Sequence, residues 1–185
     1  QPVVGTVSFL RPEKGLNVLI DALSLLQKEF PTVCCVIVGT GDEHEKLLAR
    51  IRQRKLDERV VLAGFRKDIP DLLSMMDVFV LPSLEEGMPQ ALLQAMAMER
   101  AVVASAVGGV PEVSRDGQTG FLVSSKDPAA LAVKVGILLR DPAQRKIFGM
   151  SGRQTITDDY SLDAMLKKTE QVYSHLWEER NKRAA

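Results

Sequence analysis

Short apolar runs recur along the chain, each followed by an amphipathic segment, and this alternation constrains the fold more than any other feature. Runs at 3–10, 33–38, 60–63, 78–81, 101–104 and 120–123 read as strands. Between and after them, 16–30, 43–54, 69–76, 90–98, 111–114, 128–139, 143–158 and 162–180 read as helices. Strands that are apolar on both faces and alternate with helices imply a parallel sheet covered on both sides. Right-handed crossovers then give an α/β, doubly wound, Rossmann-like domain with helices on both faces. Such sheets bind ligands at the carboxyl ends of their strands, so the loops there are where function is sought.

The bulk properties exclude several classes. Lys+Arg and Asp+Glu both number 24, so the formal net charge is zero and no basic balance points to nucleic acid. No apolar run approaches the roughly 20 residues that span a bilayer. Gln1-Pro2-Val3 leads straight into a strand, which reads as a start inside a longer protein. Cys34 and Cys35 are neighbours on a strand, so they face opposite ways and read as unpaired core residues. His44 and His175 sit among charges in helical segments, and no Cys/His cluster has zinc spacing. The charged tail 178–185 is expected to fray.

The fourth loop is the richest: Pro82-Ser83-Leu84-Glu85-Glu86-Gly87-Met88-Pro89-Gln90. A strand ends, Glu86 sits on a glycine-containing loop, and a helix opens with Pro89 at its first position. Free N–H groups and the positive dipole end of that helix suit an anionic ligand. Gln90 and Gln94 share one face of it, and Leu92, Leu93, Met96 and Ala97 form the core face. Five residues rise about 7.5 Å, so Glu86 and Gln94 can hold different parts of one extended ligand.

Other loops are weaker alone. In the first, Arg11-Pro12-Glu13-Lys14-Gly15 places Lys14 at a helix entrance, where a cation is disfavoured unless an anion binds. The alternative is a solvated lysine. No Lys-Ser/Thr pair follows Gly15, so this is not a Walker A loop. The second, Gly39-Thr40-Gly41-Asp42-Glu43, lacks the third glycine of a dinucleotide fingerprint, and its acids would repel a pyrophosphate. In the third, Phe65 beside Arg66 either flanks a base or sugar or belongs to the core. In the fifth, Gly108-Gly109 either admits a ligand to the backbone or is a packing turn. Residues 115–120 read as a hairpin-like turn into the last strand.

Taken together, Lys14-Gly15, the run from Pro82 to Ala97, the Gly108-Gly109 turn and Asp116-Gly117-Gln118-Thr119-Gly120 resemble the C-terminal domain of retaining GT-B glycosyltransferases, family 4. The likeness covers residues 3 to about 160. It implies one half of a two-domain fold, with residues 1–160 as the nucleotide-sugar domain and 161–185 as a terminal helix and charged tail. The N-terminal acceptor domain would lie outside this chain. The implied reaction moves a hexosyl group from a UDP- or GDP-linked sugar to a sugar or lipid-linked acceptor, with retention of configuration. Polysaccharide or lipopolysaccharide synthesis in the cytoplasm, peripheral to a membrane in the full-length protein, is the implied setting. No cofactor, metal or nucleic acid is implied.

By the same resemblance, Lys14 meets the diphosphate and Glu86 binds the transferred sugar. Gly87, Met88, Pro89 and Gln90 form the loop that meets sugar and phosphate through backbone N–H groups. Position 94 meets the ribose, and the turn at Phe65 and Arg66 meets the base. The chain departs from the family at two places. Gln94 stands where glutamate is usual, and Ser8-Phe9-Leu10 stands where Gly-Arg-Leu is usual, leaving Arg11 as the substitute cation. The fragment alone is expected to bind nucleotide and transfer no sugar. Two rival readings are a nucleotide-sugar epimerase of the same fold and a non-catalytic scaffold.

Overall fold

The computed structural model describes the backbone of residues 1–184 and their side chains, those of 178–179 and 181–184 excepted. Strands β1 (Val3–Val7), β2 (Cys34–Val38), β3 (Val60–Gly64), β4 (Val78–Leu81), β5 (Ala101–Ser105) and β6 (Gly120–Val123) form one sheet. Its order is β3-β2-β1-β4-β5-β6, and every pairing is parallel. The order reverses between β1 and β4, which creates a crevice at the carboxyl ends of those two strands.

Helices cover both faces. One apolar layer joins the sheet to α1 (Leu16–Leu26), α2 (His44–Gln53) and α6 (Pro128–Arg140). The other joins it to α3 (Ile69–Ser74), α4 (Gln90–Ala97) and α5 (Val110–Val113). Helix α7 (Pro142–Asp159) packs on α4 and β5, and α8 (Leu162–Ala184) follows it. Strand β5 is buried at every residue, as a strand covered on both faces must be. Cys35 is buried and Cys34 half-buried, both unpaired. Burial first, and then the neighbouring Cys34, push the Cys35 thiol far above its usual range.

Several boundaries differ from expectation for physical reasons. The first strand stops at Val7: Ser8 N still donates to Val38, the last residue of β2, and Leu10 N to Thr40 in the loop after it, but Phe9 between them turns outward. Helix α1 stops at Leu26, short of Phe30, whose position before Pro31 disfavours helical backbone. Helix α4 begins at Gln90, and Pro89 is its N-cap: the Pro89 carbonyl accepts from Leu92 N and Leu93 N. The buried face of α4 is Leu92, Ala95 and Met96, with Leu93 and Ala97 only partly covered.

The turn at 115–120 is not a hairpin. Helix α5, not a strand, precedes it, and the Asp116–Gly120 bridge and β6 both run parallel. The tail from 178 continues helix α8 to Ala184 rather than leaving it, and residue 185 lies outside the described residues. Along α8, Leu162, Met165, Leu166, Val172, Tyr173, Leu176 and Trp177 recur at helical spacing, yet all are exposed. No helix among the described residues is long and apolar enough to cross a membrane.

Candidate functional site

At the β1/β4 switch point a cavity of about 440 Å³ opens over the strand ends. Its floor includes Val7, Val38 and Leu81, the last residues of β1, β2 and β4. Three large apolar side chains at its mouth are exposed: Phe9, Phe65 and Met88. The polar groups that converge on it include Lys14, Glu86, Arg66, Gln90 and Gln94. The first turn of α4 also lines it, and the leading N–H groups of a helix have no intrahelical partner. An apolar concavity with a few convergent polar groups is the usual form of a small-molecule site.

Lys14 and Glu86 meet across the cavity. Residues 12–14 make a single 3₁₀ turn, capped by Gly15 in the left-handed region at φ 60°. That turn delivers the Lys14 ammonium to within 2.8 Å of Glu86 Oε1. Ser83 Oγ donates to the same oxygen, also at 2.8 Å. The Lys14 and Glu86 side chains are only 22% and 9% exposed, so water screens the contact less than it does a surface ion pair. Lys14 therefore does not face open solvent, and its charge is already shared before any ligand arrives.

Glycines set the loops that hold this pair. A Cβ on Gly108 would lie 1.7 Å from the Glu86 carbonyl oxygen, and one on Gly109 would lie 2.3 Å from that of Gly87. Gly109 N donates to Glu86 O at 3.3 Å. The close approach that the glycine pair permits is thus to the Glu86-Gly87 backbone, and neither glycine lines the cavity. On the other side, Leu84 N donates to Glu13 O at 2.8 Å, and Gly15 lies against the Pro82 carbonyl.

The structure brings most of the sequence-predicted residues together. Lys14, Glu86, Met88, Pro89, Gln90, Gln94, Phe65 and Arg66 all line the cavity. Gly87 is exposed beside it, its carbonyl against Gly109. Phe65 is outside the core, 71% exposed. Arg66 donates from Nε to Asp68 Oδ1 at 2.8 Å, and this bond lowers the Asp68 carboxyl while raising the guanidinium. Arg11 does not line the cavity: its guanidinium stands 5.3 Å from the centre of the Phe9 ring, and it is Phe9 that faces the opening. Sequence reasoning missed Ser83, whose full burial beside a loop carboxylate has no signature in the chain. It also missed Ser8, Thr40 and Ile69 on the cavity wall.

A family model described as "Glycosyl transferases group 1" matches residues 1–141. A GDP-mannose-dependent alpha-(1-6)-phosphatidylinositol monomannoside mannosyltransferase of Mycolicibacterium smegmatis is 35% identical over 169 residues. That match spans 86% of this chain and 44% of the mannosyltransferase. Among solved structures, Anabaena Alr3699/HepE in complex with UDP superposes with a TM-score of 0.88 at 27% identity, over 94% of this chain and 48% of that one. The C-terminal domain of a glycosyl transferase group 1 family protein (LpcC) from Francisella tularensis superposes at a TM-score of 0.80 and 27% identity. There the match covers 87% of both chains. The present chain spans less than half the length of the mannosyltransferase and of the Anabaena protein.

Proposed function

The chain belongs to the glycosyl transferases group 1 family, and on that premise we propose that it is the donor-binding half of a retaining glycosyltransferase. The observation that carries this is the Lys14–Glu86 pair at the sheet's switch point, with the α4 N-terminus on the same cavity wall. A nucleoside diphosphate sugar supplies a group for each part. The diphosphate takes Lys14 and the helix N-terminus, the sugar hydroxyls take Glu86, and the base and ribose take the Phe65–Arg66 turn and Gln94. Residues 1–160 form this domain, with helix α8 (Leu162–Ala184) appended to it. Relatives described with UDP bound or as GDP-mannose-dependent support a UDP- or GDP-linked donor.

In the transfer, the bond from the anomeric carbon to the diphosphate breaks as an acceptor hydroxyl oxygen forms a bond on the same face, and the hydroxyl proton passes to the departing diphosphate. Charge separation is the barrier: the sugar gains oxocarbenium character and the diphosphate departs with negative charge. Lys14 and the N–H groups of α4 are placed to stabilise that leaving group before it forms, the kind of preorganised electrostatics that dominates many enzymes. Glu86 orients the sugar. A carboxylate pair of the glycosidase type is disfavoured because the second position is an amide, Gln94. The acceptor, a glycan or lipid-linked sugar, would be bound mainly by a preceding domain. The 185-residue chain alone would then bind donor and transfer nothing.

Thermal denaturation with millimolar UDP, GDP and ADP tests the donor reading. At 100 times its dissociation constant a ligand adds about 2.7 kcal/mol of stability. One nucleotide is expected to protect the chain, and Lys14→Ala to abolish most of that protection. A second reading, a binding or scaffold protein without chemistry, draws on Phe9 and Gln94 standing where the family's arginine and glutamate are usual. Protection by none of the three nucleotides would favour it.

A further inference from the structure

Glu86 has two carboxylate oxygens, and the structure occupies one of them. Oε1 accepts from both Lys14 Nζ and Ser83 Oγ, each at 2.8 Å. Oε2 makes no hydrogen bond among the described residues. An ionised carboxylate only accepts, so Oε2 is the atom left for a donor on a ligand.

The two partners of Oε1 differ in kind. Lys14 is a flexible point charge, 22% exposed and on the cavity wall, so an arriving diphosphate competes for it. Ser83 is fully buried behind the loop and does not line the cavity, so no ligand reaches it. Its hydroxyl is a short arm on a backbone pinned by neighbours: Leu84 N to Glu13 O on one side, Gly109 N to Glu86 O on the other. When the ammonium is drawn toward phosphate, Ser83 is the bond that remains.

We infer that Ser83 is a positioning residue: by holding Oε1 of Glu86 it keeps Oε2 turned to a hydroxyl of the donor's sugar throughout the reaction. This rests on the donor-site reading above. A carboxylate with one oxygen fixed loses less side-chain freedom when it meets a sugar, and a hydrogen bond to a charged group is among the stronger kinds. The effect of Ser83 is confined to the sugar. Ser83 is buried and does not line the cavity, so affinity for the nucleoside diphosphate alone is expected to be independent of it.

The test is calorimetric titration of the 185-residue chain with UDP against UDP-glucose and GDP against GDP-mannose. For the pair that binds, the quantity read is the ratio of the two dissociation constants. Ser83→Ala is expected to shift that ratio about tenfold against the nucleotide sugar, with the nucleoside diphosphate unchanged. Ser83→Cys, a near-isosteric weak donor, should behave like alanine, and Ser83→Thr, which keeps the hydroxyl, should restore the ratio. Ser114→Ala removes another buried hydroxyl, bonded to Thr119 rather than to the site, and should lower stability while leaving the ratio alone. An unchanged ratio in both Ser83→Ala and Ser83→Cys, or the same shift in Ser114→Ala, overturns the role. If nucleotides bind but neither nucleotide sugar does, the role of Ser83 fails and the nucleotide site stands. If the wild-type chain binds none of the four, the donor-site reading fails and takes this inference with it.

Discussion

Gly108 lies so close under Glu86 that a Cβ would stand 1.7 Å from the Glu86 carbonyl oxygen. Its φ of 50° is also in the left-handed region. Gly108→Ala therefore meets both a clash and an unfavourable backbone. Overpacking costs about 1–3 kcal/mol and a left-handed alanine about 1 kcal/mol more. We expect a loss of about 2–4 kcal/mol in urea unfolding, from the sum of these two effects. Nucleotide protection should fall further than the stability loss explains, because the displaced atom belongs to the Glu86 loop. A variant with wild-type stability would contradict the contact.

Lys14→Met tests the ion pair separately from any ligand. The substitution leaves Glu86, 9% exposed, with Ser83 as its remaining partner on Oε1. The expected cost is about 1.5–3 kcal/mol, the range for a hydrogen bond to a charged group. A double-mutant cycle with Glu86→Gln should show coupling of at least about 0.5 kcal/mol, and moderate salt should reduce it little. Strictly additive losses would mean that the two charges do not interact in solution.

Thr6 carries a fully buried hydroxyl with no hydrogen-bond partner among the described residues. It sits in β1 one residue from the strand's end, level with Ile37 of β2. Thr6→Val keeps the shape and removes the desolvated oxygen, so stability should rise by about 1 kcal/mol. Thermal midpoints of the two proteins decide this; a fall on substitution would reveal a partner for the hydroxyl.

Asp21 on α1 accepts from Arg50 and Arg54, at or beyond the end of α2. Burial raises its carboxyl, but the bonds and charges of both arginines outweigh burial and hold it below the ordinary value of 3.8. The sign follows from linkage. A group with a lowered folded-state value contributes stability that is complete above its unfolded value and vanishes as pH falls through the folded one. Wild-type protein should lose this contribution progressively below about pH 4, the usual carboxylate range. Asp21→Asn should be less stable at pH 7, and the gap should close toward pH 2. A gap that is constant across that range would exclude the linkage.

The sheet was legible because its cause is local. Runs such as 101–104 are apolar on both faces, and handedness then leaves few ways to wind them. The loops were legible as places but not as contacts. Lys14 and Glu86 lie 72 residues apart, and nothing near either in the chain announces the other. The helix entrance at Lys14 suggested an external anion, and the structure supplies an internal one. Gly108-Gly109 showed that something approaches closely, but a missing side chain does not say whether ligand or backbone fills the gap. Arg11 was a substitute cation by proximity in sequence, and stacking on Phe9 decides its direction instead.

The bond from Leu84 N to Glu13 O, with Gly15 against the Pro82 carbonyl, ties the loops after β1 and β4 to each other through the chain's own atoms. Gly39 against Ser8 joins the loop after β2 to the same block. A site whose walls are fastened together beforehand spends little conformational entropy on capture. Association should accordingly be a single fast step without a slow isomerisation phase. Its heat-capacity change should also be no larger than the apolar surface covered by the ligand itself.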